Sequence, residues 1–319
     1  MNPHPEVVCA GIIVADHICA PITHVPDAGE IVMAERMLLT IGGCAANAAV
    51  DLKKLGISAA VVGRVGGDIF GRIVTDLLRE YGMDVSGILI SPESDTSQTL
   101  IVNVAGQDRR FIHTVGANAE FRATDFPTDI VTACKVLYLG GYLLMPNVLQ
   151  EELLPVFAAA RQAGARTMLD VATPGPADYL SRLDQLLPHV DVFLPNHHEG
   201  EMITGEADPL RQAKIFRRLG AGTVVITMGA DGAILANESQ CLRAGRYPVD
   251  FVDGTGSGDA FDAGYIYGLL HDMDAESCLR WASAVGASCV RAIGTTPGVF
   301  TRQECEAFIR KHSLSVQRL

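Results

Sequence analysis

A doubly wound, largely parallel α/β sheet with helices on both faces, joined by a small β-sheet lid, is the fold this sequence predicts. Three observations carry that prediction. Apolar runs of strand length alternate with longer amphipathic runs over most of the 319 residues. The amphipathic runs end close to glycines, a common stop for a helix. Two stretches then interrupt the alternation with strand patterns of their own.

In chain order, residues 7–14, 59–65, 136–140, 166–171, 192–195 and 223–228 read as buried strands, short and continuously apolar. Helical patterns fill the gaps at 45–55, 70–81, 149–163 and 209–219, with Gly56, Gly82, Gly164 and Gly220 as their stops. Repetition of this kind predicts a parallel sheet covered on both sides. The first interruption, residues 22–41, sets Pro26 and Gly29 ahead of an apolar run that reaches Leu39. The second reads as a hairpin. Leu100, Val102 and Val104 alternate toward a turn near Gly106-Gln107-Asp108, and Phe111, His113 and Val115 alternate back. On this reading residues 1–20, 43–97 and 117–319 form the α/β core, and residues 21–42 and 98–116 form the lid. Leu100, Val102 and Val104 would leave an apolar sheet face for a second copy of the chain, making a homodimer.

Composition narrows the partners. With 25 Lys+Arg against 37 Asp+Glu the formal charge is −12, and no basic stripe exists to neutralise a nucleic-acid backbone. A hydrophobic share of 48% supports a large core and excludes a disordered chain. No apolar run approaches the ~18–20 residues that span a bilayer. The start, Met1-Asn-Pro-His-Pro-Glu, lacks a basic region leading into an apolar one, so a cytoplasmic location is expected. The eight cysteines (9, 19, 44, 134, 241, 278, 289 and 305) form no C-x-x-C pair and read as scattered thiols rather than a disulfide framework.

The segment that carries chemistry is Val252-Asp-Gly-Thr-Gly-Ser-Gly-Asp-Ala-Phe-Asp-Ala-Gly264. Glycine at alternate positions lets successive N–H groups turn into one concavity, and the apolar positions after Phe261 mark a helix starting there. Unpaired amides at a helix N-terminus favour an anion. A carboxylate at that spot, Asp259, makes sense as a general base beside a transferring phosphoryl group whose charge the adjacent amides stabilise. A Walker A loop is excluded, because the chain has no Gly-Lys dipeptide. A Rossmann fingerprint is excluded by the glycine spacing and by its position late in the chain.

Gly254-Thr-Gly-Ser-Gly-Asp-Ala-Phe261 resembles the C-terminal signature of the ribokinase/PfkB family of carbohydrate kinases. Gly42-Gly-Cys-Ala-Ala-Asn47-Ala-Ala, followed by Leu55-Gly56, resembles its N-terminal signature. Gly63-Arg-Val-Gly-Gly-Asp68 and Gly116-Ala-Asn-Ala119 match landmarks between them. The resemblance implies Asp259 as catalytic base, with the amides of Gly256, Ser257 and Gly258 as the anion hole. It implies ATP and Mg²⁺, with Asn196-His-His-Glu199 positioning Mg²⁺ and phosphate largely through water. It implies nucleotide contacts at Thr227, Gly229 and Gly232, with an adenine contact at Ser283. Asp16 would accept hydrogen bonds from two sugar hydroxyls, in a pocket lined by Gly42, Gly43 and Asn47. Many members bind a monovalent cation such as K⁺. Asp253 and Thr255 match that pattern, Cys289, Ala292 and Gly294 would add carbonyl oxygens, and Gly298 replaces a serine ligand found in several relatives. Asp170-Val-Ala172 stands where relatives often carry Asp-x-Asn. His197 and His198 are set aside as metal ligands, because adjacent side chains are expected to diverge.

The activity expected is transfer of the γ-phosphoryl group of ATP to a hydroxyl of a small sugar. A nucleoside kinase of the same family is an alternative. A kinase for an acidic or phosphorylated sugar is another, with Arg109 and Arg110 gripping the extra anion. A sugar or nucleotide sensor without catalysis would have an eroded aspartate or glycine turn, and both are intact.

Overall fold

The computed structural model describes residues 4–107 and 109–319; residues 1–3 and Asp108, the last residue of the expected hairpin turn, lie outside them. The chain opens with β1 (Val7–Gly11), β2 (Val14–Ile22) and β3 (Met37–Gly42). Helix α1 (Cys44–Lys54), β4 (Ala59–Gly66), α2 (Ile69–Glu80) and β5 (Ile88–Ser91) follow, then the hairpin β6 (Gln98–Val104) and β7 (Arg110–Thr114). A single turn, α3 (Thr128–Val131), leads to β8 (Val136–Gly140), α4 (Gln150–Gln162), β9 (Arg166–Leu169) and β10 (Val192–Phe193). Next come α5 (His197–Thr204), α6 (Pro209–Arg218), β11 (Thr223–Thr227), β12 (Ala233–Ala236) and β13 (Cys241–Ala244). Helices α7 (Ser257–Leu270), α8 (Ala275–Cys289) and α9 (Arg302–Lys311) precede β14 (Val316–Arg318).

Ten of these strands make one sheet in the order β14-β13-β12-β11-β10-β9-β8-β1-β4-β5. Pairing is parallel from β5 to β11 and antiparallel from β11 to β14. Alternate side chains of a strand point to opposite faces, and here that period separates two cores. Val7, Cys9, Val61 and Val65 pack on one face with α1, α2, α7, α8 and α9. Val8, Ala10 and Val62 pack on the other with α3, α4, α5 and α6. The short C-terminal strands escaped the sequence pattern because four-residue runs such as Ala233–Ala236 carry too few positions to show a period.

The second sheet has four strands in the order β3-β2-β6-β7. It takes in residues 14–22, so the first strand ends at Gly11 and Asp16 lies within the small sheet, not at the end of a core strand. Asp16 stands opposite Thr40 on β3 and Thr99 on β6. The apolar face expected at Leu100, Val102 and Val104 is the more open one at its first two positions, which stand opposite exposed Ile112 and Arg110 on β7. Strand β6 is interior to its sheet, Val104 is buried, and Leu100 and Val102 are half-covered. The most exposed apolar side chains sit on the outer strands, at Met37 (67% exposed) and Ile112 (66%) on that face and at Phe111 (54%) on the other. No helix among the described residues is long and apolar enough to cross a membrane.

Candidate active site

The turn into α7 is built on Gly256. Its φ of 78° lies in the left-handed region, and a Cβ there would come within 2.5 Å of the Thr295 carbonyl oxygen. Only glycine meets both demands. The Ser257 N–H donates to Gly254 O at 3.2 Å, so it closes the turn and is not a free anion-hole donor as expected. The N–H groups of Gly256 and Gly258 have no partner among the described residues, and a Cβ on Gly258 would meet nothing within 4 Å. Two unpaired amides and open space at a helix N-terminus make a cradle for an anion.

Asp259, three residues into this helix, accepts a hydrogen bond from Asn47 Nδ2 at 2.8 Å. The contact joins α1 to α7 across 212 residues of chain. Burial pushes the Asp259 carboxyl above the usual carboxylate range, and the Asn47 donor opposes that shift. Asn47 is 2% exposed, and its Oδ1 has no partner among the described residues. A buried, unpaired acceptor is costly unless a ligand completes it.

Asp16 reaches the same cleft from the small sheet. A Cβ on Gly42 would lie 2.1 Å from Asp16 Oδ2, so the glycine pair admits the carboxylate against the entry to α1. Burial raises the Asp16 carboxyl to about 8; the Thr99 hydroxyl lowers it, and the charges of Asp259 and Asp253 add to the rise. Asn118, from the Gly116–Ala119 landmark, accepts from Ile13 N and donates to Ile13 O, both at 3.2 Å. It thereby fixes the link between β1 and β2 that carries Asp16. Of the two hairpin arginines, Arg109 places its guanidinium where a Cβ on Gly254 would lie 2.4 Å from Nη1, so the small sheet touches the glycine turn. Arg110 is exposed and donates to Gln107.

On the nucleotide side, Asn196 and Thr227 form a bridge between the ends of β10 and β11. Asn196-x-x-Glu199 is a capping box. Asn196 Oδ1 accepts from the N–H groups of His198 and Glu199, and Glu199 Oε2 accepts from Asn196 N at 2.8 Å. Glu199 is held well above the ordinary range by burial and by the charge of Asp170. No lysine or arginine pairs with Glu199, Asp170, Asp259 or Asp262 among the described residues. These oxygen donors, with no ion pair to a cation among the described residues, fit Mg²⁺. Gly229 and Gly232 have positive φ in the turn after β11, and a Cβ on Gly229 would meet nothing within 4 Å. Ser283 lies one turn before Gly286, where a Cβ would lie 3.1 Å from the Ser257 carbonyl oxygen. The rings of His197 and His198 do not diverge: they lie 3.9 Å apart, tilted by 37°.

Several of the residues expected around K⁺ are hydrogen-bonded to one another. Asp253 Oδ1 already accepts from Thr255 N and Oγ1, and its Oδ2 accepts from Gly294 N. The Cys289 thiol donates to the carbonyls of Thr255 and Thr295 at 3.3 and 3.0 Å. No hydrogen bond ties Ala292 to this group among the described residues. A Cβ on Gly298 would lie 2.6 Å from Cys289 O, so a serine cannot stand there without a shift. The loop is stapled by its own donors.

Three contributors carried no readable role in the sequence: Asp170, Tyr138 and Cys44. Asp170 Oδ2 accepts from Gly141 N at 3.1 Å, and Tyr138 donates to Asp262 Oδ2 at 2.9 Å behind the cleft. Cys44, the first residue of α1, lies beside both Asp170 and Asp259. Its signal was its place between two signature glycines and Asn47, where a thiol looks like ordinary packing.

Known proteins are similar to this chain over most of its length. The model of the pfkB family of carbohydrate kinases matches residues 4–302. The ribokinase of Haemophilus influenzae is 26% identical over 304 residues, covering 94% of this chain and 96% of that protein. A nucleoside kinase of Methanothermobacter thermautotrophicus is also 26% identical over 304 residues, covering 94% of each chain. Among solved structures, a putative ribokinase II from E. coli in complex with ATP and Mg²⁺ superposes with a TM-score of 0.78. It is 22% identical, covering 97% of this chain and 100% of that one.

Proposed function

The chain belongs to the pfkB family of carbohydrate kinases and is an ATP-dependent phosphotransferase; from that premise we propose that it phosphorylates a hydroxyl of a small sugar, with Asp259 as general base. The observation that carries the proposal is the 2.8 Å bond from Asn47 to Asp259. It puts the residue expected to line the sugar pocket in contact with the residue expected to take the proton.

In this reading Asp16 and Asn47 Oδ1 hold the sugar. A carboxylate and an amide oxygen accept from neighbouring hydroxyls, which rejects analogues that lack them. The hydroxyl's proton passes to Asp259 as its oxygen attacks the γ-phosphorus of ATP in line, and ADP leaves. The amides of Gly256 and Gly258 hold charge on the transferring group. Thr227, Gly229, Gly232 and Ser283 line the nucleotide, and Arg109 brings a positive charge over the glycine turn. Glu199 would hold Mg²⁺, which when bound would neutralise charge on the phosphates. No step is routed through a monovalent cation. The small sheet acts as a lid that excludes water from the transfer, and its exposed outer strands pair with a second copy.

The Methanothermobacter relative keeps a nucleoside acceptor as the second reading. ADP release measured against aldoses, ketoses, sugar acids and nucleosides separates the two. Turnover with one or more sugars, at least ~10-fold above every nucleoside in kcat/KM, is expected. A nucleoside as best acceptor would overturn the sugar assignment.

A further inference from the structure

Cys44 Sγ, an Asp170 carboxylate oxygen and an Asp259 carboxylate oxygen lie within 4.8 Å of one another. They arrive from three elements: the first residue of α1, the end of β9 and the first turn of α7. The thiol is wedged in place. A Cβ on Gly141 would lie 3.4 Å from Cys44 Sγ, and one on Gly140 would lie 2.7 Å from Cys44 Cβ. The Cys44 thiol stands beside both carboxyl groups, and the residue is only half-buried. A second, separate observation is the orphaned Asn47 Oδ1. It belongs to a residue 2% exposed, one turn along the same helix, whose Nδ2 already holds Asp259.

The geometry points to a zinc site formed by Cys44, Asp170 and Asp259, at which a thiophilic divalent cation takes the catalytic carboxylate away from the acceptor. One thiolate and two carboxylates, with a fourth position open to water or to Asn47 Oδ1, suit tetrahedral Zn²⁺. Mg²⁺ takes hard oxygen donors and octahedral geometry, so the thiolate discriminates against it. Zn–S near 2.3 Å and Zn–O near 2.1 Å place tetrahedral ligand atoms roughly 3.5 Å apart, inside the 4.8 Å span of this cluster. On binding, the thiol proton leaves to solvent and a Zn–S bond forms, with no change of oxidation state. Zinc and acceptor then exclude each other, while ATP still binds. The inhibition rests on the role proposed for Asp259; the binding does not.

Two arms test this on the full chain freed of metal. In the first, Co²⁺ serves as the spectroscopic probe. One equivalent should give sulfur-to-cobalt charge-transfer absorption, lost in Cys44→Ser, weakened in Asp170→Asn and kept in Cys241→Ser. In the second, Zn²⁺ is titrated into the kinase assay at saturating Mg²⁺. Inhibition should be relieved by chelator and by acceptor but not by ATP, and Cys44→Ser should need at least ~10-fold more zinc relative to its own baseline. A cobalt spectrum unchanged in Cys44→Ser, no charge-transfer band, or equal zinc sensitivity of the two proteins would overturn the inference. A chain with the cobalt site but no kinase activity would overturn the functional reading and leave the site standing.

Discussion

At the residue scale, the cleft is a set of carboxyl groups whose surroundings pull them in opposed directions. Asp259 is raised by burial and lowered by Asn47 and by the Cys44 thiol. A base must be ionised to accept a proton, so activity rises with pH through its pKa. Asn47→Ala removes a donor to the ionised form, and the acid limb of kcat/KM should therefore move to higher pH. A pH–rate profile checks this; an unmoved limb would separate Asn47 from the base. Asp16 gives the opposite kind of test. Its carboxyl is raised from 3.8 to about 8 by burial, so the folded chain holds a proton that the unfolded chain releases. The sign follows: Asp16 favours the fold below about pH 4, and that contribution is lost as pH rises toward 8. Asp16→Asn cannot titrate, so its stability relative to the parent should grow between pH 5 and pH 8 in urea unfolding without sugar. A constant difference would contradict the shift.

At the element scale, Asn196 and Glu199 serve two ends. They cap α5 in both directions, and they stand beside the bridge to Thr227 at the end of β11. Asn196→Ala should cost about 0.5–2 kcal/mol of stability through the lost cap, and should also raise KM for ATP by more than KM for the acceptor. Unchanged ATP affinity in a destabilised variant would leave Asn196 a cap alone. Elements of this kind also show what the sequence makes legible. The four amphipathic helices with glycine stops were readable because their period and their φ-permissive terminators agree. All four of those glycines have positive φ. The glycine signature showed the start of α7 and the aspartate in it. It could not show that Ser257 N–H would be consumed by Gly254 O, since that depends on the curvature of the turn. The start of β2 was read as the tail of β1 because residues 7–15 are apolar apart from Gly11. Nothing in such a run marks where the chain leaves one sheet for another.

At the scale of the whole molecule, contacts over long sequence distance decide what the site can do. Cys44, Asp170 and Asp259 are spread through the chain, and no pattern along it pairs them. Arg109 against Gly254 likewise brings the small sheet onto the glycine turn. The exposed outer strands of that sheet predict that Phe111→Glu with Ile112→Glu converts a dimer to a monomer by light scattering, and an unchanged mass would remove the small sheet from the interface. All these contacts converge on the meeting of α1 with α7. The most direct measurement is turnover and ATP affinity of Asp259→Asn. A loss in kcat of at least ~100-fold with nucleotide binding kept is expected for a general base. Turnover close to that of the unaltered chain would contradict the account.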